Sequence, residues 1–263
     1  MSELKLGYKA SAEQFAPRPG TPTAKARVVH RFDAGVDVLL AVKRLQWAKT
    51  RLEPALTGPL RCATVLGMFV DTITACSLVE AVRSITVITS DESVAAAAQY
   101  FGAKVLPEPT CHVHTDSLNM ALRAGEVAIA RGRNRDSLNI AVLQADLPAL
   151  KPAELAAALS HARSARRSFV PDQQGAGTAA LFAFGVELEP RFGANSALLH
   201  RRSGAIRLSG DWPGLRRDID TPYDLVAASL LGLGRATTAA LQPVLASPHP
   251  TPRQGHQYSP RSR

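Results

Sequence analysis

Short apolar runs alternate with longer amphipathic segments along the middle of this chain. Each run has the length of a buried strand, and the segments between them repeat their apolar residues with helical spacing. The predicted strands are Val36–Val42, Ser84–Thr89, Lys104–Leu106, Leu138–Gln144 and Thr178–Phe184. The predicted helices are Pro59–Leu78, an alanine-rich helix between Asp91 and Gly102, Asp116–Arg131, Pro152–Arg166, Ala197–Arg202 and a last helix that Thr221 opens.

Alternating strands and helices with short connections predict a mainly parallel sheet with helices on both of its faces. We place this α/β domain at residues 36–233, because about 200 residues suffice for one domain with its own core. The segments 1–35 and 234–263 are polar and rich in proline. We expect both segments to be disordered extensions.

The charge distribution narrows the possible functions. The 263 residues include 31 Lys+Arg and 22 Asp+Glu, a formal net charge of +9, yet the segment 36–233 accounts for only +2. Because the excess charge lies at the two ends and aromatic residues make up only 5% of the chain, the folded part is not expected to bind nucleic acid.

The cysteines and the hydropathy pattern indicate the cellular compartment. Cys62, Cys76 and Cys111 lack the close spacing of a metal site, and so sparse a set is typical of a reducing cytoplasm. No run of about 18 apolar residues occurs, so we expect no membrane-spanning segment. The sequence therefore predicts a cytoplasmic protein, and it leaves the oligomeric state open.

A basic loop follows the first predicted strand. Lys43, Arg44, Lys49 and Arg51 place four cations within nine residues. In a doubly wound sheet, ligands bind at the carboxyl ends of the strands, where such cations could neutralise a polyphosphate. The loop contains no glycine, which excludes a Walker loop and a dinucleotide fingerprint. Charge alone favours phosphate binding no more than a solvated basic loop.

Carboxylates follow the central strand and precede the last helix. Asp146 is the first charge after the apolar run and is well placed to bind Mg²⁺, although its position alone favours an acid ahead of a helix. Asp218 and Asp220 share one face if the chain between them is extended. Two such carboxylates usually have a cation between them, although Asp220 could merely precede a helix cap.

Two glycine-containing turns complete the candidate chemistry. The turn from Gly175 to Thr178 permits a close backbone approach to an anion. The segment from Arg191 to Ser196 leads into a short helix, where backbone N–H groups and the Ser196 hydroxyl could bind phosphate. Taken alone, each segment is better explained as an ordinary turn or helix cap.

Five motifs taken in order resemble one enzyme family. They are AVKRLQWAKTRL, LQADLPAL, the turn Gly177–Thr178–Ala179, RFGANS and RRDIDTPYDL, and the resemblance extends from about Val36 to Leu233. Their order and spacing are similar to those of the 2-phospho-L-lactate guanylyltransferase family of coenzyme F-420 biosynthesis, in particular its actinobacterial phosphoenolpyruvate guanylyltransferases. The resemblance implies one three-layer α/β/α nucleotidyltransferase domain with a mixed, mainly parallel sheet.

The resemblance also implies the roles of individual residues. It makes Asp146 and Asp218 the ligands of Mg²⁺, and it makes Thr178, Gly193 and Ser196 the binding site of phosphoenolpyruvate. Under this reading the two aspartates are catalytic, because the metal offsets the repulsion between two anionic substrates.

The same resemblance assigns the GTP phosphates to Lys43, Lys49 and Arg51, with Lys49 also catalytic. The implied reaction moves GMP from GTP to the phosphate of phosphoenolpyruvate and gives enolpyruvoyl-2-diphospho-5'-guanosine and pyrophosphate. Transfer to 2-phospho-L-lactate is a close alternative. A non-catalytic nucleotide-binding or nucleic-acid-binding protein is an alternative of a different class.

Overall fold

The computed structural model describes residues 35–109 and 116–245. Its strands are β1 (Val36–Val42), β2 (Val82–Thr89), β3 (Lys104–Leu106), β4 (Asn139–Leu143), β5 (Arg167–Pro171), β6 (Thr178–Phe184) and β7 (Ile206–Arg207). Its helices are α1 (Gly58–Ser77), α2 (Glu92–Tyr100), α3 (Ser117–Ala130), α4 (Pro152–Ala162), α5 (Ser196–Arg202), α6 (Pro222–Leu231) and α7 (Arg235–Leu245). The extensions expected before residue 35 and after residue 245 lie outside the described residues.

The strands form one mixed, mainly parallel sheet in the order β3-β2-β1-β4-β6-β5-β7. Strands β3, β2, β1 and β4 run parallel to one another, whereas β6 is antiparallel to both β4 and β5. The reversal of β6 brings its first residue to the edge where β4 ends. The carboxyl ends of β1, β2 and β4 and the start of β6 therefore lie along one edge of the sheet.

Hydrophobic side chains cover both faces of this sheet, which confirms the expected three layers. Along β1, Val38 and Leu40 belong to one buried cluster and Leu39 to the other, because successive side chains of a strand point to opposite faces. The first cluster includes residues of α1, α2, α4, α6 and α7, and the second includes residues of α3 and α5. Both faces of the sheet are therefore protected by helices.

The structure corrects the predicted domain end at residue 233. Helix α7 packs on α1 and buries Ala236, Thr237 and Leu241. The carboxylate of Asp71 in α1 accepts hydrogen bonds from the backbone N–H groups of Ala236 at 3.0 Å and Thr237 at 2.8 Å. Because the residue that caps α7 lies 165 positions earlier, no local pattern identifies this helix, and the domain continues to Leu245.

Two further boundaries differ from the sequence prediction. Helix α4 ends at Ala162 rather than Arg166, and the unpredicted strand β5 begins at Arg167.

Helix α1 is long and apolar enough, by length and composition alone, to span a membrane. However, 67% of its most apolar stretch of 18 residues is buried inside the domain. Its apolar residues are thus accounted for by the core.

Candidate active site

A buried arginine shapes the basic loop after β1. Arg61, in the first turns of α1, donates hydrogen bonds to the carbonyl oxygens of Leu45 at 3.2 Å and Gln46 at 2.9 Å, and also to that of Ala48. A single guanidinium thus binds three backbone carbonyl groups within four residues of the loop, as its planar fork of donors allows. The loop that carries the candidate phosphate ligands is therefore held in place from beneath.

Asp91 fixes the other side of the same loop. One of its carboxylate oxygens accepts the N–H groups of Ser93 and Val94, which caps α2 as the sequence predicted. The other oxygen accepts the N–H of Leu45 at 2.9 Å. The cap of one helix therefore also orients the start of the loop.

Lys49 projects from this loop toward the opposite side of the site. Its backbone adopts a left-handed conformation with φ of 53°, which is uncommon for a residue with a side chain. Its ammonium contacts the carboxylates of Asp146 and of Asp220, the latter at 2.7 Å. Burial alone would lower the pKa of Lys49, but the charges of these two carboxylates outweigh burial and raise it.

The structure brings Asp146 and Asp218 close together. The carboxylate of Asp146 accepts the N–H of Ile219 at 3.3 Å, which ties the end of β4 to the segment before α6. Burial and then the charge of Asp146 raise the pKa of Asp218 to about 7, although Lys49 opposes this shift. Because like charges repel, both carboxylates are charged at the same time only when a cation lies nearby.

A cleft of about 340 Å³ lies between the basic loop and the end of β4. Its lining includes Lys43, Lys49, Arg51, Gln144, Asp146 and Asp220. All three cations predicted for a polyphosphate thus face one space that also contains a predicted metal ligand. The exposed indole of Trp47 forms part of the rim.

Thr178 and Ser196 are buried in direct contact with each other and are not among the residues that line this cleft. The Ser196 hydroxyl donates to the Thr178 hydroxyl at 3.1 Å, and both residues are only 2% exposed. The Gln144 amide lines the cleft and donates to the Thr178 carbonyl oxygen at 3.3 Å. Gly193 is exposed, with φ of +132°, and no atom lies within 4 Å of where a side chain would begin.

The segment that contains Gly193 is clamped by α3. The side-chain amide of Asn119 donates to the Phe192 carbonyl at 2.9 Å and accepts the Phe192 N–H at 2.8 Å. This two-way pairing fixes the backbone one residue before Gly193. The three residues predicted for the acceptor therefore come from two rigidly held turns, separate from the basic loop.

The sequence pattern leaves Asp220 open between a cation site and a residue before a helix cap, and its ion pair with Lys49 places it at the site. Two further residues of this region carry little or no sequence signal. Asp172 follows the unpredicted β5, accepts the N–H of Gly177 at 2.8 Å and also raises the pKa of Asp218. His200 contacts Thr178, and its spacing of four residues from Ser196 on a helix was its only signal.

Comparisons with known proteins show which family this chain is similar to. Residues 36–247 match the family model described as "Guanylyl transferase CofC like". A phosphoenolpyruvate guanylyltransferase of Mycolicibacterium gilvum is 58% identical over 209 residues, which is 80% of this chain and 96% of the relative. The corresponding protein of Mycobacterium leprae is 56% identical over 78% of this chain and 93% of its own length.

Solved structures share the fold at low sequence identity. A protein described as a nucleotide-diphospho-sugar transferase of Desulfovibrio desulfuricans aligns with a TM-score of 0.59 and 16% identity, covering 80% of this chain and 95% of that one. A 4-diphosphocytidyl-2C-methyl-D-erythritol synthase aligns with a TM-score of 0.51 and 14% identity, covering 75% and 98%. These likenesses confirm the predicted nucleotidyltransferase fold.

Proposed function

The chain belongs to the CofC-like guanylyl transferase family, and on this premise we propose that it transfers GMP from GTP to the phosphate of phosphoenolpyruvate. A phosphate oxygen of the acceptor forms a bond to the α-phosphorus of GTP. The bond from that phosphorus to the bridging oxygen of the β-phosphate breaks, and pyrophosphate leaves. The product is enolpyruvoyl-2-diphospho-5'-guanosine, for coenzyme F-420 biosynthesis.

The observation that carries this proposal is the meeting of Lys49 with the carboxylates of Asp146 and Asp220 at one cleft. We assign Lys43, Lys49 and Arg51 to the phosphates of GTP. Lys49 is the best placed of the three, because its charge lies between the basic loop and the acidic end of β4. It would stabilise the charge that develops on the leaving pyrophosphate.

We propose that Asp146 and Asp218 together bind Mg²⁺. The oxygen donors suit this ion, and a bound cation would favour the charged form of Asp218, whose pKa is raised by burial and then by the charge of Asp146. Within residues 35–109 and 116–245 no three His, Cys, Asp or Glu side chains cluster as a metal site, so substrate phosphates would complete the ligand set. Bound Mg²⁺ would offset the negative charge of the two substrates.

We assign the acceptor to Thr178, Gly193 and Ser196. Hydroxyl groups donate well to anionic oxygens, and an exposed glycine lets an anion approach the backbone. The same groups would accept 2-phospho-L-lactate, which differs from phosphoenolpyruvate by one carbon–carbon double bond. The relatives named phosphoenolpyruvate guanylyltransferase favour phosphoenolpyruvate.

Two features support a cytoplasmic enzyme without a nucleic-acid partner. Cys76 is a buried free thiol and Cys62 a partly buried one, and neither substrate needs a membrane. The near-neutral charge of the segment 36–233 disfavours nucleic acid. A nucleotide-binding protein without activity is the remaining alternative, and pyrophosphate release separates it from an enzyme.

The test of this function is pyrophosphate release from GTP with each acceptor in turn. We expect release with phosphoenolpyruvate and Mg²⁺, little release without acceptor, and loss of release in excess chelator. Faster release with 2-phospho-L-lactate would reverse the assigned acceptor. Tight GTP binding without release under any of these conditions would instead support the non-catalytic alternative.

A further inference from the structure

His200 of α5 is buried beside the proposed acceptor residues with both ring nitrogens paired. Its Nε2 lies 2.9 Å from the backbone nitrogen of Arg191, which can only donate. Nε2 is therefore the acceptor, and the proton of the neutral ring is on Nδ1. Nδ1 lies 2.9 Å from the Thr178 Oγ1 atom and donates to it, with the backbone carbonyl of Ser196 as a second acceptor nearby.

The surroundings of His200 keep the ring neutral. The side chain is fully buried and packs against Phe169 and Phe192, with ring centroids 5.8 and 5.1 Å away. Burial, followed by the positive charges of Arg191 and Arg167, lowers the pKa of His200 to about 4. At neutral pH the ring therefore has one donor nitrogen and one acceptor nitrogen. The contact with Arg191 makes Nε2 the acceptor and Nδ1 the donor.

This fixed donor determines how the two hydroxyl groups share their protons. A hydroxyl has one proton and two acceptor sites. The hydrogen bond between Ser196 and Thr178 takes up one of the two hydroxyl protons. The N–H of His200 takes up an acceptor site on Thr178, so Thr178 cannot direct its own proton to the ring. In either direction of the Ser196–Thr178 bond, one hydroxyl proton is left over and has to find its acceptor elsewhere.

Without the Nδ1 proton this outcome changes. Thr178 could turn its own proton toward the unprotonated ring nitrogen, and the hydroxyl pair would then present only lone pairs. Lone pairs repel the carboxylate or phosphate oxygens of an acceptor. The direction of a single proton thus decides whether these hydroxyls attract or repel an anion.

We infer that His200 is a positioning residue that makes the Thr178–Ser196 pair an obligate hydrogen-bond donor to the anionic acceptor. This inference rests on the proposed function, which places the acceptor at these hydroxyls. The same ring also holds the N–H of Arg191, two residues before Gly193. One histidine therefore links the hydroxyl pair to the turn that carries the glycine.

Two substitutions separate the two contacts of the ring. His200→Asn places an amide N–H near the position of Nδ1, whereas His200→Gln places an amide oxygen near Nε2 and removes the donor to Thr178. We expect His200→Gln to raise KM for phosphoenolpyruvate about tenfold to a hundredfold, with KM for GTP changed less than about twofold. His200→Asn should recover most of this loss. His161→Gln, at an exposed histidine of α4, is the matched control.

A double-mutant cycle distinguishes positioning from a general loss of structure. Thr178→Val removes the hydroxyl through which His200 acts, so His200→Gln in that background should add no further change in KM for the acceptor. Additive effects, or equal increases in KM for both substrates, would overturn the inference. Melting temperatures of all variants identify any that fail to fold.

The wild-type protein provides a test that needs no variant. Nitrogen-15 NMR of the histidine rings should show a buried neutral ring protonated at Nδ1, and protonation at Nε2 would contradict the inference. A wild type that releases pyrophosphate but gives an unchanged acceptor KM in His200→Gln refutes this inference alone. A wild type inactive with both acceptors refutes the proposed function, and the inference fails with it.

Discussion

The Lys49 ammonium donates to the Asp220 carboxylate at 2.7 Å, although 171 positions separate the two residues in the chain. The contact joins the loop after β1 to the segment before α6, and Asp146 meets the same ammonium from the end of β4. Three separate parts of the chain therefore converge on one charge.

Replacing Lys49 by alanine should affect GTP more than the acceptor. The substitution removes the cation between the basic loop and the carboxylates, so we expect KM for GTP to rise at least tenfold and kcat to fall. Steady-state kinetics with each substrate varied in turn measures both effects. Lys104→Ala, on the exposed edge strand β3, should leave both constants unchanged. A selective loss of acceptor affinity in Lys49→Ala would contradict the assignment.

Asp218→Asn should separate catalysis from stability. An amide keeps the shape of the side chain but removes the charge that opposes Asp146, so the melting temperature in metal-free buffer should be at or above that of the wild type. Activity should fall by two orders of magnitude or more, because a metal ligand is lost. Asp211→Asn, at an exposed position, is the control. Wild-type rates in Asp218→Asn would refute the metal assignment.

Arg61→Met should loosen the basic loop. The methionine retains apolar contacts but leaves the carbonyl oxygens of Leu45, Gln46 and Ala48 without the guanidinium. We expect a loss of about 1–3 kcal/mol in the free energy of unfolding, measured by urea denaturation, and a raised KM for GTP. If the KM for GTP stays at the wild-type value, the loop does not depend on Arg61 for its shape.

Truncation of the chain after α7 and truncation before it should have different effects on stability. A chain that ends at residue 246 retains α7, and we expect its melting temperature and activity to match those of the full chain. A chain that ends at residue 233 loses α7, uncovers the face of α1 on which α7 packs and removes the two N–H partners of Asp71. Its melting temperature should fall by several degrees or more. Equal stability of the two truncated chains would show that α7 contributes nothing to the domain.

His200 should make the stability depend on mildly acidic pH. The folded protein holds this imidazole neutral down to about pH 4, whereas an unfolded chain protonates it near 6.5. As the pH falls between these values the unfolded state takes up a proton that the folded state refuses, so stability is full above about 6.5 and declines toward 4. Melting temperatures across this range should fall less steeply in His200→Gln than in the wild type.

The sequence alone predicts those elements whose signals lie within a few neighbouring residues. The continuous apolar runs of β1 and β6 lie where the sequence predicted them. The capping box at Thr221 is present in both directions, with the Asp224 N–H bonded to the Thr221 hydroxyl at 3.3 Å and the Thr221 N–H bonded back at 2.8 Å. These interactions join residues three positions apart, so the sequence contains all the information they need.

Features that depend on distant partners could not be read in this way. The start of β6 reaches the ligand edge only because β6 runs antiparallel to β4, and apolar periodicity does not encode strand direction. Helix α7 depends on Asp71, and the role of His200 depends on Arg191 and Thr178 meeting at one ring. The motif-based resemblance identified Thr178 without this information, whereas His200 lies in none of the five motifs.

The central claim is that this protein links GMP to the phosphate of phosphoenolpyruvate. The most direct measurement follows GTP labelled at its α-phosphorus in the presence of phosphoenolpyruvate and Mg²⁺, with the products separated and weighed by mass spectrometry. We expect the label in a product with the mass of enolpyruvoyl-2-diphospho-5'-guanosine, released with one equivalent of pyrophosphate. Label that remains in GTP, or that passes only to free GMP, would contradict the account.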